Sequence, residues 1–426
     1  MREYHLALAL AAAFAAAPAL GQATVDQKLQ ILQQEIDDLK AQARRAAPPT
    51  QQPAAPYAQD YGSPLGRSLS LGSGGTNITG YGEIAYSKFR RSGDATADLQ
   101  RFVFGFNHRF DERLTFHSEI EIEHAVVSSA DNGEAEIEQA WLNYKMSDAV
   151  NLKGGLFLIP LGILNETHEP PTYYGVMRNQ VETRIIPTTW RELGVGVHGI
   201  VGEGIRYDVG ITTNFDSGKL DDPTTGIRSA HQEGQLANAR NLAVYGALNY
   251  RRPGLLVGGG AFTGDTGQNG ASNPALQGIA ARFTLWDVHA QYRVAGLDLQ
   301  ALYAAGRLGD ADKITAATVA ANLADPSVTA FAAPKSMKGA YVQAAYHVYK
   351  QGNFDVAPFV RYERIDIRQA EDPGNNLLRN PNNNERIKTF GVNFWVHPQV
   401  VLKADVQRYA TDKSQDRFSL GLGFMF

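Results

Sequence analysis

From Asn77 to Phe426 the chain repeats one pattern: apolar and polar residues alternate singly over runs of roughly 10 to 14 residues. In LQRFVFGFNHRF, Phe102, Phe104, Phe106 and Phe110 hold one face while Arg101, Asn107 and Arg109 hold the other. In LTFHSEIEIEH, Leu114, Phe116, Ile120 and Ile122 oppose His117, Glu119, Glu121 and Glu123. The last run, RFSLGLGFMF, sets Phe418, Leu420, Leu422, Phe424 and Phe426 against Arg417, Ser419, Gly421 and Gly423. A period of two means strands whose faces meet different surroundings. Runs this long exceed the typical soluble strand and suit the ~9–11 residues with which a tilted strand crosses a bilayer.

Sixteen such runs are predicted, near 77–88, 98–110, 114–126, 135–146, 150–160, 191–201, 205–215, 241–251, 254–264, 281–293, 296–307, 337–349, 353–364, 386–396, 399–409 and 416–426. Short connections such as FDERL, SDAVN, VGEGI, RRPG, VAGL, KQGN and HPQ alternate with segments of up to about 30 residues. An antiparallel barrel with both termini in the periplasm predicts this asymmetry, with short turns at one rim and long external loops at the other. A soluble sandwich has no reason to produce it. The expected fold is all-β, a 16-stranded antiparallel transmembrane β-barrel over residues 77–426. Phe426 is then the last lipid-facing position of the sixteenth strand.

The first residues, MREYHLALALAAAFAAAPALGQA, combine a short n-region, an apolar stretch and small residues before a cut after Ala23, with Ala19 and Gly21 as alternatives. Residues 1–23 therefore read as a secretory signal peptide. Val25, Leu29, Leu32, Ile36, Leu39 and Ala43 then alternate spacings of four and three, the apolar seam of a coiled coil over 24–45. A single amphipathic helix docked on a barrel or membrane surface also fits that seam. Residues 46–76 turn to Pro, Gln, Gly and Ser, the composition of a linker.

Composition agrees with this layout. Forty-two glycines, 18 tyrosines and 19 phenylalanines suit many aromatic-bearing strands, and no mature stretch approaches the ~20 apolar residues of a spanning helix. The chain has no cysteine, and a closed hydrogen-bond ladder needs no disulfide staple. A net charge of −4 argues against a nucleic-acid partner.

The segment Leu161–Trp190 contains Pro170, Pro171 and Pro187, so it does not continue as a ladder strand. Folded inward, it would narrow a lumen that sixteen strands leave wide enough for water. Arg178, Arg184 and Arg191 are the candidate cationic groups of that constriction, with Glu166, Glu169, Glu182 and Glu192 as counter-charges. The alternative role for each arginine is to pair with carboxylates and fasten the loop. On the wall, the lumen candidates are Arg101, Arg109, Glu119, Glu121, Glu123 and Lys153. A three-residue hairpin at Asp111–Arg113 sets Arg101 beside Glu123, Val103 beside Glu121 and Gly105 beside Glu119, so only one of these glutamates gains a cation. Elsewhere Arg206, Arg251, Arg282, Arg293, Arg361, Lys403 and Arg417 face Asp208, Asp287, Asp298, Asp355, Glu363 and Asp405 in a mixed lining. The histidines His108, His117 and His124 read as wall residues, and neither a metal site nor a cofactor site is expected. Glycine runs at 258–260 and 421–423 lie within strands, where glycine eases close packing.

Together, the export signal, the short coiled coil, the sixteen runs, the stretch GGLFLIPLGILNETHEPPTYYGVMRNQVETRIIPTTWRELGVGVHG at 154–199 and the terminal Phe426 resemble the phosphate-selective porin O and P family. The resemblance implies an outer-membrane homotrimer in a Gram-negative bacterium, one pore per subunit, and recognition of Phe426 by the barrel-assembly machinery. It implies passive diffusion of small ions or polar solutes, anions such as phosphate among them, with the coiled coil in the periplasm. A mainly structural, envelope-tethering barrel and a barrel hydrolase are the rival functions. For the hydrolase, no nucleophile or acid/base group stands beside a histidine in a persuasive pattern.

Overall fold

The computed structural model describes Gln34, Leu69, Ser70 and residues 75–327, 329–371 and 383–426. The chain divides into units 1–56 and 57–426. In the first, Gln34 is helical; the expected signal peptide and the rest of the 24–45 coiled coil lie outside the described residues, as does nearly all of the 46–76 linker.

Sixteen long strands form the second unit: β1 Thr76–Phe89, β2 Ala95–Arg109, β3 Leu114–Glu123, β4 Ala135–Lys145, β5 Asn151–Leu158, β6 Arg191–Val201, β7 Ile205–Thr212, β8 Ala243–Arg252, β9 Leu255–Asp265, β10 Arg282–Val294, β11 Leu297–Leu308, β12 Pro334–Tyr346, β13 Phe354–Gln369, β14 Asn384–His397, β15 Val400–Tyr409 and β16 Arg417–Met425. Each pairs antiparallel with its sequence neighbours, and β16 pairs with β1, so the sheet closes and leaves no edge. Two short pieces, Leu69–Ser70 on β1 and Tyr349–Gln351 before β13, add to the rims. Phe426 exchanges both backbone hydrogen bonds with Gly80, at 2.8 and 3.0 Å, and thereby extends the closing ladder.

The alternation sorts as a bilayer-facing barrel requires. Apolar side chains stand exposed all round the outer face, among them Phe106, Ile137, Val195, Leu248, Val288, Val342, Phe390 and Leu420. The β2–β3 hairpin adopts the expected register, with Arg101 opposite Glu123, Val103 opposite Glu121 and Gly105 opposite Glu119. Its turn is closed by the Asp111 carboxylate, which accepts the N–H groups of Arg113 and Leu114 at 2.7 and 2.8 Å. The Ala295-Gly296 turn between β10 and β11 has φ of 48° and 83°, positive at both central residues as a tight two-residue hairpin demands.

The core lies inside the barrel. Residues 159–190 leave β5 and fold inward, burying Ile159, Leu161, Ile163, Leu164, Val181, Ile185, Ile186 and Trp190 against Phe262, Phe283, Leu285, Leu302, Tyr341, Ile365 and Ile387 of the wall. The next long connection, 213–242, contributes Phe215, Leu220 and Ile227 to the same cluster. At ~1.5–3 kcal/mol for each large apolar side chain fully buried, this packing is ample to hold the 159–190 loop inside.

Candidate pore constriction

The inward loop meets two different walls. Toward β10–β15 its backbone is satisfied by wall side chains. Asp287 accepts the N–H of Gly162 at 3.1 Å, Glu363 that of Gln180 at 2.6 Å, and Asp405 that of Val176 at 2.7 Å. Arg361 donates to the carbonyl of Tyr174 at 3.1 Å while pairing with Glu363 at 2.9 Å, and Trp395 donates to the carbonyl of Pro171. A loop without ladder partners must pair its buried backbone groups somewhere, and carboxylates are strong acceptors for orphan N–H groups. Asp287, Glu363 and Asp405, which sequence parity assigns to the open lining, are therefore loop anchors.

Lumen glycines supply the space. A Cβ at Gly423 would stand 2.3 Å from Pro170, and one at Gly339 would stand 2.8 Å from the side chains of both Val181 and Ile185. Glycine at these positions lets the loop lie directly on the backbone of the wall.

Two of the expected site residues, Glu182 of the loop and Glu192 at the start of β6, are consumed in fastening the loop. Glu182 accepts the N–H groups of Ile163 and Leu164 through Oε1, and the side chains of Asn179 and Tyr341 through Oε2. Glu192 takes the Trp190 indole N–H at 3.2 Å and the Thr213 hydroxyl at 2.5 Å. Arg184 donates twice to the carbonyl of Thr224 and so ties the two inward connections together. Lys153 pairs with Asp208 at 2.5 Å and lies 4.2 Å over the Phe157 ring, and Arg109 ends β2 exposed at the short-turn rim. Arg282 departs from the expected lining: Phe283 and Leu285 point inward, so its own parity is outward, and it pairs with Asp265 at the exposed rim.

The opposite wall, β1–β4 with β6, carries a network of paired charges in which Glu123, Glu136 and Glu233 stay partly exposed while Glu121 and Arg191 are buried. Arg101 lies within ion-pair distance of Glu83 at 2.8 Å, Glu121 at 3.4 Å and Glu123 at 3.7 Å. It thus serves three carboxylates rather than Glu123 alone, because its guanidinium also reaches across to β1. Arg191 pairs with Glu136 and, at 3.2 Å, with Glu233. Arg178 donates to the hydroxyls of Thr188 and Thr189 at 2.5 and 3.0 Å, while its Nε and Nη2 are buried without a hydrogen-bond partner. Arg228 sits in the field of Glu123, Arg178 and Glu233, and burial lowers its pKa. Burial likewise pushes the Glu169 carboxyl of the loop up to about 8 and holds the His168 imidazole well below the usual histidine range.

Glu136, Glu138, Arg228 and Glu233 complete this face without any sequence expectation attached to them. Arg228 and Glu233 lie in a connection that carries no alternation. Glu138 is turned inward by a bulge: Glu119 pairs with Gln139 and Ile120 with Ile137, so Glu138 is the extra residue on β4. A strict period of two cannot place 136, 138 and 139 on one face.

The fold is a closed sixteen-strand antiparallel barrel, and it is similar to the barrels of several solved outer-membrane proteins. Salmonella typhi OmpF in complex with daunomycin superposes with a TM-score of 0.57 at 14% identity, over 84% of this chain and 100% of that one. The outer membrane channel DcaP of Acinetobacter baumannii gives 0.53 at 12% identity, over 84% and 99%. Pseudomonas putida OprB at high pH gives 0.51 at 13%, over 83% and 94%. No family model matches the chain. The chain is 33% identical over 361 residues to an uncharacterized protein of Aquifex aeolicus (strain VF5), covering 83% of this chain and 80% of that protein, and it belongs to that protein's family.

Proposed function

We propose that this chain is an outer-membrane porin through which small hydrophilic solutes and ions diffuse passively, with no bond made or broken. The observation that carries this reading is the charged strip of Arg101, Arg178, Arg191 and Arg228 against Glu123, Glu136 and Glu233. It lies inside a closed barrel whose outer face is apolar and whose other inner wall is packed by the 159–190 loop. Opposed charges across a narrowing bias which polar solutes enter, and they need no chemistry to do so. The apolar outer belt supports residence in the outer membrane of a Gram-negative bacterium, and the signal-like residues 1–23 support export. A 24–45 coiled coil in the periplasm would assist a homotrimer, and Phe426 would be read by the barrel-assembly machinery.

A narrower reading, passage of anions such as phosphate, draws on the four arginines gathered at the strip, Arg101, Arg178, Arg191 and Arg228, whose planar guanidinium groups suit phosphate oxygens. Reversal potentials in a planar bilayer under a salt gradient test both readings, with chloride, phosphate and a small sugar as permeants. Conductance by the refolded chain is expected. A folded oligomer that does not conduct overturns the porin reading, and strong cation preference overturns the anion reading alone.

A further inference from the structure

Where the loop crosses β3 and β4, four carboxylates converge out of solvent. Glu119, Glu121, Glu138 and Glu169 are 2%, 1%, 0% and 2% exposed. Among the described residues the only lysine or arginine within ion-pair distance of any of them is Arg101, on Glu121, and Arg101 is shared with Glu83 and Glu123. Of the other nearby cations, Arg178 is turned to the Thr188 and Thr189 hydroxyls and Arg191 to Glu136 and Glu233. Buried acids this close together must be neutralised, by protons or by a bound cation.

His168, 3% exposed, points into the same place from the loop. Its Nδ1 stands 2.9 Å from the carbonyl oxygen of Asn165, which only accepts, so Nδ1 carries the proton and Nε2 presents a lone pair. That Nε2 has no hydrogen-bond partner, nor does Oε1 of Glu138. One donor atom from each of Glu119, Glu138 and His168 lies within 4.8 Å of the others. Nitrogen and oxygen donors around a tetrahedral zinc ion stand about 3.4 Å apart, so side-chain rotations that draw the set together by about 1 Å complete it. Supporting contacts are in place as well. Gln139 donates to Oε2 of Glu119 at 2.8 Å, and the Tyr81 hydroxyl donates to Oε2 of Glu138 at 3.2 Å. A carbonyl behind the imidazole and donors behind the carboxylates are what hold metal ligands in orientation.

We propose that Glu119, Glu138 and His168 bind one divalent cation of the zinc type, which cross-links the inward loop to the β3–β4 wall. One imidazole with two carboxylates suits Zn2+ better than Ca2+, which takes oxygen ligands throughout. The bulge puts Glu138 and Gln139 together on the inner face, so that Glu138 faces the loop histidine while Gln139 braces Glu119. The cation also balances the buried carboxylates that Arg101 does not reach.

The test uses the refolded full-length chain, stripped with chelator and titrated with ZnCl2 by calorimetry, with CaCl2 in parallel and Co2+ absorption as a report on the ligand field. One equivalent of Zn2+ per chain is expected. Glu138→Gln and His168→Gln should each weaken it by about tenfold or more, while Arg282→Ala at the rim leaves it unchanged. Chelation should also speed tryptic cleavage after Arg178 and Arg184 in the wild-type chain, and have no such effect in Glu138→Gln. Absence of saturable Zn2+ binding by the wild-type chain overturns the proposal, as does binding that neither substitution weakens. Should both variants fail to refold, Glu119→Gln replaces them under the same criterion, and the wild-type titration is decisive by itself.

Discussion

The two halves of the lumen obey the same alternation and meet opposite fates. On β10–β15, inward Phe283, Leu285, Leu302, Tyr341, Ile365 and Ile387 are covered by the loop, and the acids between them hold its backbone. On β1–β4 and β6, inward Glu83, Arg101, Glu121, Glu123 and Arg191 pair mainly with one another and with Glu136 and Glu233. An inward charge is thus a structural acceptor or a member of a charge network according to whether it takes a backbone N–H of the loop. The residue type alone does not distinguish Asp405 from Glu123.

The sharpest way to break this contrast is to empty the packed half. Trp190 packs at a tilt on Phe215 and edge-on to Phe262, with centroids at 5.1 and 4.5 Å, and Trp190→Ala should cost ~3–5 kcal/mol in urea unfolding of the folded barrel. It should also raise conductance, because the loop loses its apolar seat. Next in size, Asp405→Ala orphans the buried N–H of Val176, with an expected loss of ~1–3 kcal/mol in the same measurement. If Asp405→Ala instead changes ion preference at unchanged stability, Asp405 belongs to the polar strip and the division of the walls fails.

On the charged half the order of effects should invert. Arg178→Ala removes the guanidinium whose Nε and Nη2 lack partners, so reversal potential should move toward cations while the unfolding midpoint shifts little. The smallest effect belongs to the outer rim. Arg282→Ala removes a largely exposed side chain, 68% accessible and paired only with Asp265 among the described residues, and neither conductance nor ion preference should change measurably.

Legibility follows the range of the forces involved. The strands were readable because alternation and turn chemistry are local: the Asp111 turn and the parity of β2 and β3 set the Arg101–Glu123 register from neighbouring residues alone. The inward loop was readable from its prolines and length, and its arginines as candidates. The fates of Glu182 and Glu192 were not, since their partners Tyr341 and Thr213 lie on other elements. His168, Glu119 and Glu138 were equally hidden as a group. They come from a loop, a strand and a bulge, with no spacing that a metal motif would show.

The sequence by itself determined an all-β chain of sixteen long strands, the outward apolar belt, the short and long connections and the inward set of each strand. It could do so because a period of two and tight turns act over a few residues. Only the tertiary structure decided which half of that inward set is filled, where Gly339 and Gly423 let backbone meet backbone, and which extra residue turns Glu138 toward His168. Those outcomes depend on the fit of a loop to a wall far from it in the chain, where volume and unpaired backbone groups must be satisfied together.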